Sequence, residues 1–133
     1  MQSNEMKIYE NMSNATSKEK AVEMAKILWE KQAFDIELYE VEGTTVLCDY
    51  VLICTGKAST HVKSLSDDLE FEMGKRSVCA SRTEGKAGAA WVLCDFDTVI
   101  VHIFDRQSRD FYRLERLLPA DKKISLESIT KED

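Results

Sequence analysis

Two short apolar runs, residues 90–96 and 99–104, are separated only by Asp97 and Thr98, and they restrict the fold of this chain more than any other stretch. Both are rich in β-branched and aromatic residues, and two such runs around a short break of turn formers read as a β-hairpin. Alternation along the strands sets Val92, Cys94 and Phe96 against Trp91, Leu93 and Asp95, and Val99, Val101 and Ile103 against Ile100, His102 and Phe104. One face is uniformly apolar. The other mixes large groups with polar handles, Trp91, Asp95, His102 and Phe104. A sheet this apolar on both sides must be covered twice, by helices or by a partner.

The hairpin runs into residues 105–117, where the spacing turns helical, with Phe111, Leu114 and Leu118 at i, i+3 and i+7. Pro119 lacks an amide to donate and is expected to close this helix. Phe111 and Leu114 are expected in the core, where truncating Phe111 to Ala would cost about 3–5 kcal/mol. Upstream, Thr16 and Glu19 form a capping box for a helix to about Gln32, striped by Ala21, Met24, Ala25 and Leu28 with Trp29 at its margin. Residues 35–42 alternate as a strand, with Ile36 and Leu38 on one face and Glu37, Tyr39 and Val41 on the other. Residues 49–56 are almost continuously apolar, as in a central strand buried on both faces. Ser59 is the expected N-cap of a second helix, with stripe Val62, Leu65, Leu69 and Met73 and Gly74 as its C′ glycine. A weaker strand over 78–83 and a loop over 84–88 lead to the hairpin.

The order α-β-β-α-β-β-β-α predicts an α/β fold with a single mixed five-stranded sheet flanked by helices. Residues 16–119 form the expected domain, between a flexible N-terminal segment (1–15) and a C-terminal tail (120–133) whose Ile124, Leu126 and Ile129 are too sparse to define an element.

Composition narrows the function. No apolar run approaches the roughly 18 residues of a membrane helix, and the N-terminus shows neither an apolar leader nor arginines, so no membrane partner and a cytoplasmic setting are expected. Twenty-four acids against 18 bases give a net charge of −6, the wrong sign for a protein that grips naked nucleic acid, so direct DNA binding is not expected. Acidity favours a basic protein partner, although it also simply aids solubility. The four cysteines, at 48, 54, 79 and 94, include no CxxC pair; they read as structural thiols rather than metal ligands or disulfides.

Catalytic patterns are sparse. His61 opens the second helix and His102 lies in a strand, neither beside a cysteine or serine in a nucleophile pattern. Asp95 and Asp97 form a D-x-D pair of the kind that holds Mg²⁺ in nucleotidyl transfer. Asp97 falls in the turn, where Asp is favoured for local hydrogen bonding, and the Gly-Ser pair of nucleotidyltransferases is missing; Thr55-Gly56-Lys57 is the only comparable turn. No phosphate loop, dinucleotide fingerprint or HExxH motif occurs. No cofactor, metal or catalytic residue is expected.

The segments Asp49-Tyr50-Val51-Leu52-Ile53-Cys54-Thr55-Gly56, His61-Val62, Glu84-Gly85, Trp91-Val92-Leu93-Cys94-Asp95, residues 99–104 and Arg109-Asp110-Phe111-Tyr112-Arg113-Leu114-Glu115-Arg116-Leu117 occur in series. Together they resemble the ribosomal silencing factor family, also called Iojap, over about residues 18–118. The resemblance implies a non-enzymatic translation repressor with an α/β fold related to nucleotidyltransferases but without their catalytic set. It also implies binding to the large ribosomal subunit through its fourteenth ribosomal protein, on the intersubunit face, so that the small subunit cannot join when nutrients are limiting. Family members often form homodimers. Two departures stand out: Asp97-Thr98 occupies the turn where the family usually has Gly-Asp, and Leu118 stands where many members have Trp.

The partner-binding residues expected on this basis are Trp91, His102 and Phe104 on the second sheet face, with Arg109, Tyr112 and Glu115 on the exposed flank of the last helix. Trp91 and Tyr112 are the aromatic anchors, and Arg109 and Glu115 offer charge-assisted bonds at the edge. Core packing is the competing role for Trp91. A metal-dependent enzyme using Asp95 and Asp97, or a dimeric scaffold burying Trp91 and Phe104, are the alternatives.

Overall fold

The computed structural model describes residues 9–44 and 47–130. Most of the N-terminal segment expected to be flexible (1–8) and the end of the tail therefore lie outside the described residues. Helix α1 (Ser17–Glu30) begins at the expected capping box: Thr16 Oγ1 accepts the Glu19 amide at 3.1 Å, and Glu19 Oε1 accepts the Thr16 amide at 2.9 Å. Strands β1 (Phe34–Glu40) and β2 (Tyr50–Gly56), helix α2 (Ser59–Lys75), strands β3 (Arg82–Glu84), β4 (Trp91–Asp95) and β5 (Val99–Asp105) and helix α3 (Arg106–Tyr112) follow. A short β6 (Lys123–Ile124) and α4 (Glu127–Thr130) complete the described chain.

The strands form one mixed sheet in the order β3-β4-β5-β2-β1-β6. β2 and β5 run parallel at its centre, and every other neighbouring pair is antiparallel. β2 is buried along its whole length, as its unbroken apolar run requires. Alternation sorts the side chains as expected. Leu38, Tyr50, Leu52, Cys54, Val92, Cys94, Val99, Val101 and Ile103 pack beneath α1 and α2 in the main core. Tyr39, Val41, Cys48, Val51, Ile53 and Phe104 form a second cluster on the other face, joined by the half-buried Trp91, Ile100, Leu114 and Leu118.

Several boundaries differ from expectation, each for a local reason. Ala58, not Ser59, is the N-cap of α2 and makes no side-chain cap. His61, in the first turn, ties the preceding loop instead, its Nδ1 accepting the Lys57 amide at 2.9 Å while Nε2 lies 3.0 Å from the Lys31 carbonyl. Gly74 lies inside the last turn of α2; the left-handed residue is Ser77, at φ 66°. There the Val78 amide donates to Met73 O and the Ser77 amide to Gly74 O, a Schellman turn whose apolar contact joins Val78 and Met73, both buried. Because Val78 is needed as that contact, the third strand starts only at Arg82 rather than at 78.

The largest differences are at the C-terminus. α3 ends at Tyr112, because Arg113 adopts the left-handed conformation (φ 48°, ψ 51°), and residues 114–117 continue as a 3₁₀ turn. Pro119 follows an already extended Leu118. The rotation sends Phe111 into solvent, 76 % exposed, against the expectation that it is core, while Leu114 and Leu118 still pack on the second face. The sheet has six strands, not five, because β6 pairs with β1, Leu38 opposite Ile124. Leu126 is buried, with Ile124 and Ile129 packed around the same core. One apolar residue in β6 and one in α4 suffice here because β1 and α1 supply the rest of the interface.

These positions separate sharply in urea unfolding. Leu126→Ala should lose about 2–3 kcal/mol of stability, and Phe111→Ala less than about 1 kcal/mol, its one ring contact being an edge-on approach to Tyr112 at 5.0 Å.

Candidate docking surface

Strand register builds the aromatic part of the second face. β4 sets Trp91 opposite Phe104 and Leu93 opposite His102, and β2 sets Thr55 beside Phe104 and Ile53 beside His102. Trp91 is the hub, its ring 4.8 Å from Phe104, 4.7 Å from Tyr112 and 5.9 Å from His102. Phe104 is fully buried below it, and Tyr112, half exposed, leans on it from the end of α3. Trp91 is half-buried, packed on its inner side against Phe104 and Tyr112 and partly open on its outer side. Gly85 permits this placement: at φ 94°, a Cβ there would stand 2.2 Å from the Trp91 carbonyl oxygen.

Trp91 Nε1 donates to His102 Nδ1 at 3.0 Å. The acceptor role requires a neutral imidazole with its proton on Nε2, and burial agrees, holding the His102 pKa down to about 4. Burial likewise pushes the Cys54 and Cys94 thiols up to about 12, leaving them un-ionised and poorly nucleophilic at neutral pH. Asp95 Oδ1 accepts the Asp97 amide at 2.8 Å, so the D-x-D pair builds the hairpin turn. Among the described residues, no three His, Cys, Asp or Glu side chains converge on a possible metal position.

Arg109 does not lie on an exposed flank. It is buried, and Nη1 donates to Thr55 Oγ1 and to the Asp35 carbonyl, each at 2.8 Å. Its Nε donates to Glu115 Oε1 at 3.2 Å, and Nη2 lies 3.6 Å from Glu37 Oε2. The anticipated Arg109–Glu115 pair exists, turned inward as an internal tie. The reason is local: a bulge in β1 between Phe34 and Glu37, with Asp35 at φ 50°, aims a carbonyl at the guanidinium.

Beside the aromatic cluster the second face is open. A groove of about 780 Å³ runs along it, walled by Val41, Cys48, Val51 and Ile100 from the sheet and by Leu114, Leu117 and Leu118 from the segment after α3. His102 closes one end, and Leu47 and Leu117, 74 % and 80 % exposed, stand at its lips. Sequence reading missed this groove. Leu114, Leu117 and Leu118 form an apolar stripe immediately before Pro119, and that run of leucines was the available signal.

Two variants probe the scaffold of this surface. The unfolded chain takes up the His102 proton near pH 6.5 and the folded chain only near 4, so stability is full above pH 6.5 and declines as the pH falls towards 4, by up to about 3 kcal/mol. His102→Asn keeps an acceptor for Trp91 and does not titrate, so its denaturation midpoint should fall less steeply over that window than the native chain's. Arg109→Lys, which cannot serve four acceptors from one fork, should lose about 3–5 kcal/mol in chemical denaturation.

Comparison with known proteins agrees with the sequence resemblance. The family model described as "Ribosomal silencing factor during starvation" matches residues 14–133. The ribosomal silencing factor RsfS of Bacillus subtilis is 33% identical over 88 residues, covering 66% of this chain and 75% of that protein. Its Haemophilus influenzae namesake is 37% identical over 83 residues, covering 62% and 81% respectively. A crystal structure of a Chromobacterium violaceum protein superposes with a TM-score of 0.75 at 25% identity, over 77% of this chain and 86% of that one. With the family model spanning nearly all of its length and a solved structure of similar fold beside it, this chain belongs to the ribosomal silencing factor family.

Proposed function

We propose that this protein represses translation by seating the second face of its sheet on the large ribosomal subunit, against the fourteenth ribosomal protein on the intersubunit side. The small subunit is then excluded sterically. The observation that carries the reading is the open apolar groove beside the Trp91 cluster: α1 and α2 both cover the other face, and surface leucines at its lips are the kind of patch a partner covers. Within it Tyr112 and the outer edge of Trp91 are the anchors, and His102 borders the groove. Phe104, Arg109 and Glu115 support the surface from beneath. The net charge of −6 complements a basic ribosomal protein. Such a mechanism needs no turnover and no cofactor, only an interface of about 800 Å² on each partner, and it acts in the cytoplasm while nutrients are scarce. The same groove would be covered in a homodimer, which must then open or dock through what remains exposed.

Sucrose-gradient sedimentation of large and small subunits tests this. The native protein should travel with large subunits and deplete joined ribosomes. Tyr112→Ala combined with Leu117→Asp changes two exposed side chains and should leave the fold intact while weakening large-subunit binding roughly tenfold or more. A native chain that stays at the top of the gradient while subunits join normally would rule the proposal out.

A further inference from the structure

Beyond the carboxyl ends of the parallel strands lies a second concavity, of about 420 Å³. β2 leads into α2, which packs on the main core, whereas β5 leads into α3, which carries Tyr112 to the opposite face. Where adjacent parallel strands send their connections to opposite sides, a crevice opens at their ends, and α/β proteins bind ligands there. Arg109 and Thr55 form its floor, and Arg106, Arg113 and Arg116 stand exposed around its rim.

In a chain with more acids than bases, the crevice sets four arginines against four acids, Asp35, Glu37, Asp110 and Glu115. Glu115 is engaged by Arg109, and Glu37 lies between Arg109 and Lys123. Arg113 meets only the exposed Asp110, at 3.7 Å. Among the described residues Arg106 and Arg116 form no ion pair; Arg106 instead lies 4.6 Å over the Phe34 ring. Of the four acids that line the crevice, Glu37 and Glu115 are engaged by Arg109 and Asp110 by Arg113, while Asp35 forms no ion pair among the described residues. The three rim guanidiniums each present a planar fork suited to a phosphate.

Their position relative to the groove indicates what they meet. The left-handed turn at Arg113 makes residues 113–118 face two ways, Leu114, Leu117 and Leu118 into the groove and Arg113 and Arg116 onto the rim. Anything seated in the groove has this rim at its flank. Resting on the docking reading above, we propose that Arg106, Arg113 and Arg116 bind backbone phosphates of a ribosomal RNA strand bordering the protein's site on the large subunit. The groove supplies an apolar contact that is insensitive to salt, and the rim supplies an electrostatic one that is not.

The test is binding of the native chain, Arg106→Gln/Arg116→Gln and Arg106→Lys/Arg116→Lys to purified large subunits across 50–200 mM KCl. Each lost phosphate contact should reduce the slope of log affinity against log salt by about 0.7. The Gln pair should thus bind more weakly at low salt and lose roughly sevenfold less affinity than the native chain across that range, and the Lys pair should retain most of the native slope. An unchanged slope, or a Gln-pair deficit equal at every salt concentration, would overturn the phosphate contact while leaving the docking reading standing; absence of native binding would overturn both. A photo-crosslinker in place of Arg116 should yield an RNase-sensitive adduct, and an RNase-resistant protein adduct would instead assign the rim to an acidic protein.

Discussion

Arg109 sits where α3 crosses the carboxyl end of β2, and its guanidinium joins the bulge of β1, the hydroxyl of Thr55 and the carboxylate of Glu115. A buried charge is tolerable only when its donors are met, so the bulge, Thr55 and Glu115 are constrained together. The consequence is positional. With Arg109 held, α3 cannot rotate about its axis, Tyr112 is fixed over Trp91, and the chain leaves α3 at the angle that lays Leu114 and Leu118 on the sheet. The groove wall and the aromatic cluster both depend on one guanidinium that is itself buried.

The two sheet faces show opposite solutions to one problem. Under α1, α2 and α4 the main core is closed, with Met24, Leu28, Leu65, Leu69 and Met73 fully shielded. On the other side a seven-residue helix and a 3₁₀ turn stand in for a full covering layer, and the second cluster is accordingly small. An open apolar surface on a folded chain favours association. The same sparseness leaves a rigid sheet face only partly covered, a surface on which contact needs little reordering.

Much of this was legible because strand alternation is a strong signal. The division of the β4, β5 and β2 side chains between two faces, the capping box at Thr16 and the buried central strand all follow from periodicity. The tail escaped because its apolar residues are spaced too widely to define an element alone; Ile124 and Leu126 are ordered by β1 and α1, which are distant in sequence. The end of α3 escaped for a different reason. A left-handed residue is normally announced by Gly or Asn, and Arg113 gives no such notice; its amide still donates to the Arg109 carbonyl. Arg109 itself reads as surface in any helical wheel, because no periodicity reports a backbone carbonyl turned inward by a bulge 74 residues away.

That left-handed residue also reconciles the charge of the chain with its family. A net negative protein approaching a ribosome meets repulsion from RNA and attraction from basic proteins. Had α3 continued to Leu118, then Leu114, Leu117 and Leu118, at i, i+3 and i+4, would share one helical face, and Arg106, Arg109, Arg113 and Arg116 would share another. The break at Arg113 keeps the two kinds of side chain apart while turning the chain back onto the sheet, leucines to the groove and guanidiniums to the crevice. An acidic body can then present an apolar surface and a local positive edge side by side. Arg109 holds Glu115, and with Lys123 holds Glu37, so that Arg106 and Arg116 remain without an ion pair among the described residues.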